Sequence, residues 1–384
     1  MKQHDIIITG IQPWDIEIGS NCKNIAEEFS KNHRVLYVNS PLDRISSIRK
    51  RTDNKVQKRL DIINGKVSPI EMIHNNLWVY TPPVIIESMN WLPLNLFRIV
   101  NKINNKRFAH AIQLAIKELE FKNYTLFTDS DMFRSNHLSQ LLKPETFIYY
   151  TRDNLMTVPY WEKHGKTMEP EIVKQANLVV ANSPHLAKIA AQHNKNAYYV
   201  GQGCDTESFR EINNNTPKEL TELKGPIIGY TGLLTSRRLD IDVIEKIASR
   251  KPNWNIVLVG PEEDCFKKSS LHQLNNIHFL GAKPPEDLPS YVNAFDACIN
   301  PQIVNELTKG NYPRKIDEYL AAGKTTIATY TPTMEVFKKY CYLAYSSDEY
   351  VELIEKALAE NNETLKKERE GFAASHTWEN NVVE

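Results

Sequence analysis

Short runs of β-branched and aromatic residues recur along this chain, and longer amphipathic stretches separate them. DIIIT (5–9), RVLYVN (34–39), YTLFT (124–128), TFIYYT (146–151) and NLVVAN (177–182) are apolar almost without a break. Continuous runs, unlike alternating ones, mark strands covered on both faces, which predicts a parallel sheet with helical crossovers. Helices are expected between them at 21–31, 94–120 and 184–192. The rhythm then restarts with IIGY (227–230), NIVLV (255–259), IHFL (277–280), AFDACIN (294–300) and TTIAT (325–329). Helices are expected in this series at 241–249, 285–293 and 313–322. A chain of 384 residues is long for one core and suits two domains. The polar tract NNNTPKELTELK (213–224) breaks the series. The expected plan is an α/β domain over 1–205, a linker at 206–224, a second α/β domain over 225–360, and a C-terminal helix at 361–384.

Composition narrows the function. The 47 basic and 47 acidic residues balance and are interspersed, which speaks against a nucleic-acid partner. Cys22, Cys204, Cys265, Cys298 and Cys341 lie far apart, with no CxxC, so neither a disulfide framework nor a zinc site is expected and a reducing cytoplasm fits. The opening MKQHDIIITGIQPW holds an apolar run too short for a signal peptide. No stretch reaches the ~20 apolar residues of a membrane helix, so any membrane contact is peripheral. RISSIRKRTDNKVQKR (44–59) and LPLNLFRIVNKINNKRF (92–108) mix basic and apolar residues. Such tracts either rest on anionic lipid, at the inner face of a membrane, or form a solvated helix face and loop.

The segment YPRKIDEYLAAGK (312–324) carries the strongest chemical signal. Pro313 suits the first turn of a helix, Gly323 its end, and Ile316, Tyr319 and Leu320 make the apolar stripe. Lys315 in a first turn opposes the helix dipole, and a bound anion would relieve it. Glu318, one turn deeper, can accept hydrogen bonds from a ribose diol. The same pattern also describes a surface helix with a Lys–Glu pair.

PxKxxEYLAxGK resembles the nucleotide-binding signature of GT-B glycosyltransferases, in particular glycosyltransferase family four and the bacterial teichuronic-acid-type group 1 enzymes. GPIIGYTGLLTSRRLDID, NWNIVLVGP and NIHFLGAKPPEDLPSYVNAFDACINP resemble the preceding segments in the family's order. The resemblance implies two Rossmann-like domains facing across a cleft, with the final helix packing back on the first. It implies donor contacts from Gly232 (Gly229 precedes it), from Arg237 or Arg238, from Lys315 on the diphosphate, from Glu318 on the ribose, and from Gly281 near the base. Many members carry a second Glu eight residues before the ribose-binding one; Gly310 stands there here, with Glu306 or Asn311 as substitutes for the sugar contact.

The first half resembles the family more weakly. In TGIQPWDIEIGSN, Gly10 would permit close approach to the donor and Trp14 would stack on a sugar, while Asp15 and Glu17 are acceptor-orienting candidates. Trp14 as core and the acids as solvated groups is the plainer reading. Arg152-Asp153 ends TFIYYTRDN where the family often has His-Asp. Arg152 would bind phosphate and Asp153 an acceptor hydroxyl, or the two form an ion pair at a strand end. EPEIVKQANLVVANSPHLAK and GQGCDTESF also match family stretches and support the fold. Asp129 and Asp131 in TDSDM look like a metal motif, but no metal is expected, because basic side chains carry the diphosphate in this fold.

The implied activity moves a hexosyl unit from a nucleoside diphosphate sugar, a co-substrate in place of any cofactor, to a hydroxyl on a glycan or lipid-linked acceptor. Retention is favoured; in an inverting enzyme Asp15 or Asp153 would be the base. Two alternatives stay open: a nucleotide-sugar epimerase on the same fold, and a degenerate transferase acting as a binding subunit.

Overall fold

A computed structural model describes residues 4–16, 20–210 and 216–383. The chain divides after Val200 into two compact α/β units.

The first unit is built on Asp5–Gly10 (β1), Arg34–Val38 (β2), Leu42–Asp43 (β3), Ile70–His74 (β4), Leu77–Tyr80 (β5), Ile85–Ile86 (β6), Thr125–Asp129 (β7), Thr146–Thr151 (β8), Leu178–Ala181 (β9) and Ala197–Tyr199 (β10). Eight of these form a sheet in the order β10-β9-β8-β7-β1-β2-β5-β4, and β3 pairs with β6. All pairings in the large sheet are parallel except β4 with β5. Every residue of β1 is buried, as its unbroken apolar run requires. Ile7 faces Leu36 on one side and Leu126 on the other, and all three are fully buried in one core cluster. Leu94–Glu118 forms one 25-residue helix, which buries Phe97, Phe108 and Ile112 on one face. Several elements were not expected, the largest being a hairpin and a long helix. The β4–β5 hairpin has no two-sided apolar run to announce it. The helix Pro159–Gln175 contains Pro170, a helix breaker by type.

The second unit holds Ile227–Thr231 (β11), Asn255–Val259 (β12), Ile277–Phe279 (β13), Ala297–Asn300 (β14), Thr326–Thr329 (β15) and Tyr342–Ala344 (β16). Its sheet is wholly parallel, in the order β13-β12-β11-β14-β15-β16. Counted from its own first strand this is 3-2-1-4-5-6, the order of dinucleotide-binding sheets, which reverses direction between β11 and β14. Ligands bind such sheets beyond the carboxyl ends of the strands at that reversal.

Two boundaries differ from the sequence reading. The tract expected as a linker at 206–224 belongs to the second unit outside residues 211–215, which lie outside the described residues. Phe209 and Leu220, two apolar residues in a polar stretch, are buried in that unit's core. The C-terminal residues also group with the second unit, where the sequence reading had them leave for the first. Helix Glu363–Ala373 buries Ala373 there, and Arg369 donates from Nε to the carbonyl of Gly323 at 2.9 Å.

Gly229, in mid-β11, shows how tight the second core is: a Cβ there would lie 2.0 Å from the ring of the buried Phe295. Gly229→Ala is expected to destabilise this unit by about 1–3 kcal/mol through overpacking. Urea unfolding of the two proteins measures it; an unchanged midpoint would show that Phe295 can move aside.

Candidate functional site

Three glycines stand where three neighbouring strands of the second unit end. Gly232 follows β11, Gly260 follows β12 and Gly281 lies just past β13, with φ of +131°, +148° and +67°. These values are strained for any residue with a Cβ. The glycines also bond in series: Gly232 N–H donates to Val259 at 2.8 Å, and Gly260 N–H to Gly281 at 2.9 Å. A Cβ on Gly260 would sit 2.0 Å from the Gly232 carbonyl. The strand ends therefore form a floor without side chains, open to close approach by a ligand.

Lys315 meets that floor. A Cβ on Gly232 would lie 3.1 Å from its Nζ. Nζ donates to the Tyr230 hydroxyl at 2.9 Å and stands 4.5 Å from the centre of the Tyr230 ring. The helix that carries it runs from Lys315 to Ala321, two residues shorter at its start than expected. Ile316, Tyr319 and Leu320 are fully buried, as the stripe requires. The Tyr319 hydroxyl accepts the Thr231 N–H at 2.8 Å, tying the helix to the end of β11. Between these apolar residues Asp317 is fully buried, and burial pushes its carboxyl up; His376 Nδ1 bonds its Oδ1 at 2.7 Å and counters part of that rise.

Glu318 keeps 15% of its side chain exposed and takes Arg314 Nε at 3.3 Å. Burial raises its carboxyl above the ordinary range, and Arg314 and Lys315 offset part of that. Arg237 and Arg238 are both exposed on the loop after Gly232. The loop itself is fixed: Leu234 and Leu239 are buried, and Leu234 N–H bonds Pro261 at 2.9 Å. Arg237 reaches Glu263 only at 4.0 Å, and among the described residues Arg238 makes no ion pair. Glu306 is exposed and paired with Lys309 at 2.7 Å. Asn311 is half-buried beside the buried Gly310. Asn300 ends β14 at the sheet reversal, fully buried, with both side-chain amide atoms unpaired. Sequence reading passed over it because nothing in AFDACIN marks the Asn as other than core.

In the first unit the candidate residues are largely engaged with each other. Gly10 ends β1, and a Cβ there would lie 3.1 Å from Asp129 Cβ, so its small size serves the packing of β1 on β7. Asp129 is fully buried and takes Arg152 Nε at 2.9 and 3.1 Å. Arg152 also reaches Asp153 at 3.2 Å. Arg152 is thus held in the ion pair at a strand end, and Asp131 is likewise bonded by Arg134 at 2.8 Å. Asp15 is paired twice with Arg59, at 2.9 and 3.0 Å. Its burial would raise the carboxyl, but the Arg59 hydrogen bond and charge prevail and hold it below the usual range. Trp14 lies edge-on to Tyr37 at 5.0 Å with the Lys23 ammonium 4.9 Å over its ring. Glu17 lies outside the described residues.

Glu169 is a titrating group to which the sequence gave no role; its motif EPEIVKQ served only as fold support. It borders a cavity of about 320 Å³ with Asp153, Lys166 and His193 among apolar neighbours. Burial raises its carboxyl from 4.5 to about 7, partly countered by the Tyr149 hydroxyl, which donates to it at 3.1 Å.

The model of the family described as "Glycosyl transferases group 1" matches residues 212–373. The chain is 29% identical over 241 residues to the putative teichuronic acid biosynthesis glycosyltransferase TuaH of Bacillus subtilis (strain 168), a match covering 59% of this chain and 60% of that protein. Sucrose-phosphate synthase from Thermosynechococcus elongatus superposes with a TM-score of 0.68 at 14% identity, over 100% of this chain and 97% of that one. Anabaena HepE in complex with UDP superposes at 0.64 with 15% identity, over 99% and 96%. At these identities the two structures establish the fold, the GT-B type, across the whole chain.

Glu169 generates a pH prediction. Its folded pKa lies above the unfolded value, so its contribution to stability is full below about pH 4.5 and is lost as pH rises through about 7. The loss is on the order of 3 kcal/mol. Glu169→Gln keeps an acceptor for Tyr149 and cannot ionise, so it is expected to flatten that part of the stability–pH curve. Equal slopes in urea unfolding across pH 4–8 would show that Glu169 titrates as an ordinary carboxyl.

Proposed function

We propose that this chain, whose residues 212–373 match the group 1 glycosyl transferases, moves a hexosyl unit from a nucleoside diphosphate sugar to a hydroxyl acceptor in cell-surface polysaccharide synthesis. The observation that carries the reading is the Lys315 ammonium set against Gly232 at the sheet reversal, with Glu318 one helical turn beyond. A diphosphate approaching Gly232 meets no Cβ on the glycine itself and finds the Lys315 ammonium and the Tyr230 hydroxyl beside it. Charge that grows on the leaving diphosphate as the glycosidic bond breaks is stabilised by Lys315 and by whichever of Arg237 and Arg238 swings in. The Glu318 carboxylate takes the ribose hydroxyls, and Arg314 offsets part of the rise that burial imposes on it. Gly281 leaves room for the base, and Asn311 or Glu306 contacts the sugar. Similarity to TuaH supports the polysaccharide role, and the HepE complex supports a UDP donor.

Retention of configuration fits the acids of the first unit. Asp15 and Asp153, the bases an inverting route would need, are both bonded to arginine, and Asp15, held below its usual pKa, accepts protons poorly. The donor phosphate then takes the acceptor proton. Product stereochemistry tests this, and donor incubated without acceptor tests for epimerase chemistry.

Lys315→Ala and Glu318→Ala are each expected to weaken donor binding roughly 10- to 100-fold, since each removes hydrogen bonds to a charged group worth about 1.5–3 kcal/mol. The fold should persist in both. Calorimetric titration with UDP-, GDP- and ADP-sugars reads the affinity. Nucleotide affinity unchanged in both variants would reject the site.

A further inference from the structure

We propose that the outer face of the Leu94–Glu118 helix, with the Arg44–Arg49 helix beside it, docks on a bilayer containing anionic phospholipid. Among the described residues no helix is long and apolar enough to cross a membrane. Something else must explain the apolar residues this face leaves in water. Leu96, Ile99, Ile103 and Leu114 are 45–60% exposed and follow one stripe at helical spacing. The neighbouring helix adds Ile48 at 70%, and the turn before the long helix adds Trp91 at 71%. Tyr160, 55% exposed, sits next to Trp91, because the Asn90 side chain donates to the Tyr160 carbonyl at 2.9 Å. An exposed Trp and Tyr beside an aliphatic stripe are what a membrane–water interface favours.

The charges make the occupant specific. The two helices meet at Glu87, which takes Arg44 at 2.7 Å and Arg107 at 3.1 Å. Glu171 is neutralised by Arg98. With these acids cancelled, the exposed Lys102 and Lys106 on the long helix, Arg49 at the end of the short one, and Lys50 and Arg51 just after it stand without ion-pair partners among the described residues. The whole chain has no net charge, so this face is a local excess of positive charge. Nucleic acid would use the cations but not the aliphatic stripe. A second copy docked about a two-fold axis would bring the same lysines together. An anionic bilayer satisfies both features. The face also borders a cavity of about 780 Å³, lined by the exposed Ile45, Trp91 and Tyr160 and also by Ile11, which follows Gly10. A lipid-borne acceptor held at the bilayer would thus have a path to the end of β1.

Flotation of the full chain with vesicles of phosphatidylcholine plus phosphatidylglycerol, against phosphatidylcholine alone, tests this. Binding is expected only with the anionic lipid and to weaken with salt. Lys102→Gln combined with Lys106→Gln should weaken it about 30-fold, at about fivefold per cation. Ile99→Ser combined with Ile103→Ser, on positions already half in water, should weaken it at every salt concentration. No binding to anionic vesicles, binding indifferent to lipid charge, binding unchanged in both double variants, or a stable dimer that those variants dissociate would each overturn the proposal. Donor affinity measured on the same proteins reads the second unit, so its absence in the wild type would count against the transferase reading and leave docking standing.

Discussion

The hydroxyl of Tyr319 accepts the Thr231 N–H at 2.8 Å, and through that bond the Lys315–Ala321 helix is fixed to the end of β11. The helix is only seven residues long, too short to be stable alone. It persists because Ile316, Tyr319 and Leu320 are wholly buried and because Asp317 anchors it to His376 from within. Asp317 is an uncommon choice, since a carboxyl buried in this way is costly unless bonded. Its bond to His376 couples the C-terminal segment to the helix that carries Lys315 and Glu318. The last residues of the chain are thus part of what holds the site, which is why they group with the second unit.

The glycines set the other half of that geometry. A side chain on Gly260 would force the Gly232 backbone to move, and one on Gly232 would press on Lys315 and the Tyr230 hydroxyl. Lys315 fills the space above Gly232, resting on Tyr230 through a hydrogen bond and its ring. A cation held by a hydroxyl and a ring, with no ion-paired carboxylate among the described residues, stays available to an anion.

The first unit uses similar groups differently. Arg152 and Arg59 each hold a carboxylate of the first unit, Asp129 and Asp15. Freeing Arg152 for a phosphate would leave a fully buried Asp129 charge without compensation, a large penalty. The Arg-Asp pair reads alike in sequence whether it faces a ligand or closes a strand end. Only the partner 23 residues earlier, Asp129 at the end of the neighbouring strand β7, tells the two apart.

What the sequence determined by itself was the architecture and the helix that carries Lys315 and Glu318. Unbroken apolar runs such as 5–9 and 255–259 admit few fates besides parallel strands, and the i, i+3, i+4 spacing of Ile316, Tyr319 and Leu320 fixes which helix face is buried. Local periodicity carries both signals. What only tertiary structure decided was which polar groups are spent on one another: Arg152 on Asp129, Asp15 on Arg59, Asp317 on His376. It also decided that Phe209 and Leu220 draw an apparent linker into a core, and that Glu169 titrates near neutrality in a cavity. Each of these depends on residues far apart in the chain, and burial and Coulomb interactions are set by distance in space, which spacing along a sequence does not encode.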